Sequence, residues 1–297
     1  MRGSSFKVGL AHLMVLYLVW GSTYLAIRIA VGPGGGFGPF WLGATRVGLA
    51  GLLLLSYSRL QGIPLTLSRS EYVWLALSGL LLWTGGNGLI SLGEERFASG
   101  YAAVINATSP LWIALLEAIL NRRLPPWLQI VGIFLGFWGV ALLSLTQPLS
   151  HLPWPLLLAP LLWSSGMLLT QRRPVRAPSV VAAGYQQLFG GLGFSLLAWV
   201  SRESWPHPSL QAWLAWSYLV IFGALAFTSF VLALRLLPAS LVSTYAYVNP
   251  VVAVILGWAI LHESVTPSLA VGAALILLSL ALVFRARWAN AGSGATR

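Results

Sequence analysis

Along this chain long apolar runs alternate with short clusters of charge, glycine and proline, and the runs take up most of the length. A helix crossing roughly 30 Å of hydrocarbon needs about 20 apolar residues. Cut on that basis, the sequence predicts ten membrane helices, near 8–31, 37–58, 72–93, 98–121, 127–146, 154–171, 180–200, 212–235, 239–261 and 267–285. Gly32 to Gly36, Pro125 with Pro126, Pro153 with Pro155, Pro174 with Pro178 and Pro206 with Pro208 sit where a helix should stop. Proline lacks the N–H that would continue it. The first run is longer than a signal-peptide core and reads as a retained helix. The predicted fold class is an all-α membrane protein, and the small, polar tail from 289 to 297 is expected to be disordered.

Composition agrees. Of 297 residues 58% are hydrophobic and 8% charged, with a mean hydropathy of +0.82. A soluble domain carries about a quarter charged residues, so no separate soluble module is expected. The net charge of +11 arises from seventeen Lys and Arg against six Glu. In a soluble protein that excess would suggest nucleic acid, but here the cations lie in short loops between apolar runs. With a cytoplasmic N-terminus, thirteen of them, Arg123 and Arg297 included, fall on inside loops and ends. Only Arg96 and Arg202 fall outside, with Arg28 and Arg46 left within helices. This bias matches the positive-inside rule. It places both termini in the cytoplasm, makes the bilayer the charged surface's partner and excludes nucleic acid. Cysteine is absent, and His12, His151, His207 and His262 are scattered without ligand spacing, so no metal or cofactor is expected.

The two halves share landmarks in one order. Trp20-Gly21-Ser22 is echoed by Trp163-Ser164-Ser165, Arg46 by Gln186, and Ala98-Ser99 by Ala239-Ser240. Pro110 and Pro250 each precede a glycine, Gly132 and Gly272, by 22 residues. The division expected is a first five-helix repeat over 1–147 and a second over 148–288. An odd number of helices per repeat forces the copies to enter the membrane in opposite directions, giving two inverted repeats about an axis in the membrane plane. Duplication as a mere assembly device is the competing reading.

Trp20, Trp83 and Trp163 fall near mid-depth, where a lipid-facing indole N–H would lack a partner. At i+4 stand Tyr24 after Trp20, Asn87 after Trp83 and Asn249 after Tyr245, each pair on one helix face. Stacked aromatics with amides and hydroxyls suit a partly apolar, zwitterionic or planar solute, while interhelical packing is the plainer alternative. Pro110 and Pro250 each free a carbonyl in mid-span. Asn106, Thr108 and Ser109 crowd the first, and Tyr245, Tyr247 and Asn249 the second, so the two bends could form a midplane site or a hinge. Arg46 lies well inside span 2, where a charge is costly and a functional role is the default. Glu94 and Glu95, with Arg28 and Arg96, could close an external gate, although a solvated helix end explains them as well. No proton-coupling carboxylate at mid-membrane is visible. Ser22, Ser164 and Ser165 have no base within sequence reach, so an intramembrane enzyme is disfavoured.

With these residues in place, the chain resembles the EamA-type transporters of the drug/metabolite transporter superfamily. The likeness rests on Trp20 to Arg28 in span 1, Ala98-Ser99 followed by Ser109-Pro110-Leu111, and Ala239-Ser240 followed by Asn249-Pro250. His262-Glu263 is similar to the Gly-Glu that commonly ends span 9, whereas Arg123 stands where the first half would carry the acidic counterpart. The resemblance implies a central cavity lined by spans 1, 3, 4, 6, 8 and 9, and export of amino acids, their derivatives, pigments, drugs or other metabolites. The expectation is an inner-membrane carrier of an amino acid or similar small metabolite working by alternating access, compatible with a monomer. Substrate contacts are expected from Trp20, Tyr24, Trp83, Asn87, Asn106, Trp163, Tyr245, Tyr247 and Asn249, and gating or hinge roles from Pro110, Pro250, Arg46, Glu94 and Glu95. A membrane-embedded enzyme or lipid-handling protein, or a passive channel, are the alternatives.

Overall fold

The computed structural model describes residues 2–122, 124–145, 152–237, 239–242 and 244–293. Arg123, His151, the end of span 5 at 146 and the last four residues, Arg297 among them, fall outside these. Among the described residues the chain is all helix. Its elements are α1 (Arg2–Val31), α2 (Pro39–Leu60), α3 (Arg69–Gly79), a π segment (Leu80–Asn87), α4 (Gly88–Glu94), α5 (Ser99–Asn106), α6 (Ser109–Asn121) and α7 (Trp127–Leu145). The second half supplies α8 (Trp154–Arg172), α9 (Ser179–Val200), α10 (Leu210–Leu236), α11 (Ala239–Val242), α12 (Tyr245–Leu261) and α13 (Pro267–Ser293). Each expected span maps onto one of these helices or onto consecutive ones. Eight runs are long and apolar enough to cross a membrane, and Tyr245–Leu261 is a shorter apolar helix.

Two spans are interrupted where the sequence placed central prolines, but not in the same way. Between α5 and α6 the chain breaks just ahead of Pro110. The Asn106 carbonyl freed by the proline is taken by Ser109 Oγ at 2.7 Å, and Thr108 Oγ1 donates to Ile105 O at 2.8 Å. Pro250 instead lies inside α12, and the break comes earlier, where Thr244 Oγ1 donates to Leu241 O at 2.5 Å. A threonine hydroxyl that can satisfy the carbonyl three residues back marks each break more closely than the proline does.

Corresponding helices of the halves pack on each other in antiparallel fashion. Along α2 and α9, Gly43 meets Phe194, Gly48 meets Gly191, and Gly51 meets Leu188 and Gly184. A Cβ added to Gly191 would stand 2.6 Å from Gly48 Cα, a backbone approach only glycine allows. In α7 and α13, Gly132 meets Val283 and Gly139 meets Gly272. The pairing is reciprocal, since α1 packs on α10 and α12 while α8 packs on the π segment, α4 and α6.

The surface suits lipid. Leu18, Phe134, Ile221 and Leu225 face outward in mid-helix, and exposed Trp127, Trp154, Trp199, Trp205 and Trp213 lie at or near helix ends, as interfacial indoles do. The charges separate into two ends. At one, Glu203 receives Phe40 N–H (3.0 Å) and Trp41 N–H (2.8 Å) at the start of α2. There too Glu263 receives Ser99 N–H and Ser99 Oγ–H, both at 2.8 Å, at the start of α5. The other, basic end carries Arg59, Arg69, Arg122, Arg172, Arg173, Arg176 and Arg235 with the Ser68–Glu71 capping box of α3. The first is called the acidic end below.

Candidate functional site

The three mid-depth tryptophans turn inward and meet. Trp20 packs edge-on to Trp163 (5.4 Å between ring centroids) and to Tyr245 (4.9 Å), and Trp83 packs edge-on to Phe227 at 4.8 Å. Phe230 closes the cluster from α10, 5.0 Å from Trp20. Trp163 Nε1 donates to the Tyr245 hydroxyl at 3.0 Å, and Asn106 Nδ2 to the Tyr24 hydroxyl at 2.6 Å. Edge-to-face packing gains from the ring quadrupoles and leaves hydrogen-bonding edges pointing inward.

Trp20, Tyr24, Trp83, Asn106, Trp163 and Tyr245 surround a cavity of about 50 Å³, which also touches Thr23, Ile27, Arg46, Asn87, Ile90, Gly223 and Asn249. Arg46 is 3% exposed and donates through Nη2 to Asn87 Oδ1. Four polar atoms on the wall are buried with no hydrogen-bond partner among the described residues: the donors Arg46 Nε and Trp83 Nε1, and the acceptors Asn106 Oδ1 and Asn249 Oδ1. A buried orphan costs about 1–3 kcal/mol, so four in one small cavity are a cost that a ligand could remove. One side of the wall offers a cation and an indole N–H to an anionic group, and amide carbonyls elsewhere offer acceptors to an ammonium.

The π segment shapes this wall. Gly85 and Gly86 let it press against α8, where a Cβ at Gly86 would come 3.1 Å from Trp163 Cα. Thr84 Oγ1 donates to Gly190 O at 2.9 Å, tying it to α9. The extra residue per turn displaces Trp83 and Asn87 from strict i+4 spacing, yet both reach the cavity. Such π insertions recur at functional positions.

The remaining expected residues lie elsewhere. Tyr247 leaves the cavity and packs on Phe284 at 5.2 Å. Pro110 and Pro250 are buried and do not line it. Glu94 is not a solvated helix end: it is 0% exposed, and neither carboxylate oxygen has a hydrogen-bond partner among the described residues. Arg28 donates to its backbone carbonyl, because α1 and α8 cover α4 from both sides. Glu95, just beyond α4, is half-buried. Burial and neighbouring Glu203 hold its carboxyl above the ordinary range, against the pull of Arg96. Burial likewise raises the Glu203 carboxyl, opposed by the Trp41 and Phe40 N–H groups. Thr23, Ile27, Ile90 and Gly223 complete the lining without having been expected. Thr23 and Ile27 follow Trp20 at i+3 and i+7, a spacing that would have found them.

The EamA-like transporter family matches residues 7–145 and again 154–285. The uncharacterized inner membrane transporter YedA of Escherichia coli (strain K12) is 35% identical over 254 residues, 82% of this chain and 80% of that protein. The probable terminal-alkyne amino-acid exporter of Streptantibioticus cattleyicolor is 23% identical over 277 residues, 92% of each chain. A crystal structure 23% identical in sequence superposes with a TM-score of 0.67, covering 95% of this chain and 98% of its own, a likeness of fold.

Proposed function

Because the chain belongs to the EamA-like transporter family, we propose that it carries amino acids or similarly small, partly aromatic zwitterions across the inner membrane, in the direction of export. The observation that carries this reading is the set of four orphaned atoms, Arg46 Nε, Trp83 Nε1, Asn106 Oδ1 and Asn249 Oδ1, on one aromatic wall. A carboxylate answers the two donors, an ammonium answers the carbonyls, and an apolar side chain lies against Trp20 and Trp163. The names borne by YedA and the amino-acid exporter support the membrane and the solute class.

Alternating access is the proposed mechanism. The antiparallel pairing of α2 with α9 and of α7 with α13 supports two inverted five-helix repeats. One packing solution used upside down yields two states of similar energy, each opening the same site to a different side. The cavity of about 50 Å³ holds a few waters at most, far below the ~300 Å³ of a usual small-molecule site, so the helices must part to admit a solute. In this reading the basic end is cytoplasmic and both termini lie there.

Counterflow in proteoliposomes tests the proposal: a labelled amino-acid panel should give saturable exchange, lowered by Trp20→Ala and by Trp163→Ala in folded protein. Unchanged flux in both variants would remove the site. A chemically altered solute would point to an enzyme, and flux without saturation or counterflow to a channel.

A further inference from the structure

A second cavity, of about 270 Å³, lies at the basic end between α3, α8, α9 and α10. We infer that it is a docking vestibule for a carboxylate-bearing, zwitterionic solute, occupied before the aromatic site; this inference rests on the transport reading above. Exposed Arg173 and Arg235 stand at its mouth. Arg173 is braced on the Trp74 ring at 4.7 Å, and Arg235 is held by one bond to Ala177 O at 2.7 Å, leaving donors on each guanidinium for an anion. At its base Gln186 is 0% exposed. Its Nε2 donates to Ser78 Oγ (2.8 Å) and Thr170 Oγ1 (3.0 Å), while its Oε1 is buried with no hydrogen-bond partner among the described residues. Cations at the mouth and an orphaned amide carbonyl at the base repeat the polarity of the central cavity in a space several times larger.

The two cavities are aligned along α10. On α10, Arg235 and Val231 face the vestibule, Phe227 follows one turn on, and Gly223 lines the aromatic cavity after one more. On α9, Gln186 precedes Gly190, where an added Cβ would come 2.5 Å from Trp83 Cβ. The partition between the cavities is therefore the Trp83–Phe227 contact, two rings that a rotamer change could separate. Arg173 and Arg235 fit the positive-inside pattern as ordinary end charges, but that pattern does not account for a buried Gln186 whose Oε1 has no hydrogen-bond partner among the described residues.

The chain lacks cysteine, so a single introduced thiol reports the vestibule without any known substrate. Thr170→Cys should react from the basic-end side with the anionic sulfonatoethyl methanethiosulfonate about tenfold faster than with its trimethylammonium counterpart, after normalising to a free thiol. Adding Arg173→Gln and Arg235→Gln should erase that preference. Glycine should slow the labelling more than acetate does, and Gln186→Leu should abolish the difference. Equal rates for the two reagents, no labelling at all, or acetate protecting as well as glycine would each overturn the proposal. Ser78→Cys serves in place of Thr170→Cys should that variant misfold. Labelling needs no transport, so absent counterflow with intact charge preference would sink the transport reading and leave the vestibule standing.

Discussion

At the acidic end of the bundle carboxylates bind the starts of distant helices, and at the basic end arginines stand around the vestibule. Arg46 in α2 and Gln186 in α9 occupy matching places in the two halves. Arg46 is buried beside Asn87 on the wall of the aromatic cavity, whereas Gln186 is buried at the base of the vestibule. Carboxylates at the acidic end hold helix starts together across long sequence distances, as Glu203 does for α2 and Glu263 for α5. At the basic end the Ser68–Glu71 box caps its own helix, and Glu71 also accepts from Arg176 N–H. Long-range ties exist at both ends, from carboxylates at the acidic one and from Arg172 to Asn121 and Tyr185 to Leu65 O at the basic one. Alternating access, as proposed, requires the ties of the two ends to loosen in turn.

The comparison can be broken most sharply at its matched pair. Arg46→Leu should lower saturable flux about 100-fold, since a hydrogen bond to a charged group contributes about 1.5–3 kcal/mol. Gln186→Leu should lower it only a few-fold, and equal effects in counterflow would mean that the two places are equivalent. Next in size, Glu203→Ala removes two N–H contacts from the start of α2 and should cost about 1 kcal/mol of stability, read as a lower melting temperature in detergent. Glu71→Ala, at the exposed box, should cost less. His262, at the end of α12, holds a left-handed φ of 55°. His262→Gly relieves that strain and should gain about 1 kcal/mol or less.

The smallest expected effect is a pH slope. Glu95 has its pKa raised in the folded protein, so the folded state binds a proton more tightly than the unfolded chain. Stability should then be gained as pH falls through the raised pKa and level off below the ordinary carboxylate range. Glu95→Gln should flatten part of that slope in a melting series, while a slope of opposite sign would show the carboxyl stabilised in its charged form.

Legibility followed the range of the interactions. Span positions were readable because apolar length and proline stops are local properties, as Pro125-Pro126 and Pro206 with Pro208 illustrate. The inward turn of Trp20, Trp83 and Trp163 was readable because an indole N–H in lipid has nowhere to go. Tyr247 was misplaced by grouping it with Tyr245, although residues two apart on a helix point about 200° apart. The π segment was hidden, since eight residues are too few to reveal its period. Glu94 beside Glu95 and Arg96 looks like a wet helix end, and only the packing of α1 and α8 encloses it. Arg173 and Arg235 read as routine end charges because nothing local brings them to one cavity.

In the proposed mechanism one cavity is served in turn by two ends. A cysteine placed by Thr23→Cys on its wall, probed with a membrane-impermeant maleimide in oriented vesicles, tests that most directly. The thiol should react from either side, and an amino acid that supports counterflow should slow both reactions. Reaction from one side only would make the cavity a dead end and contradict the carrier mechanism.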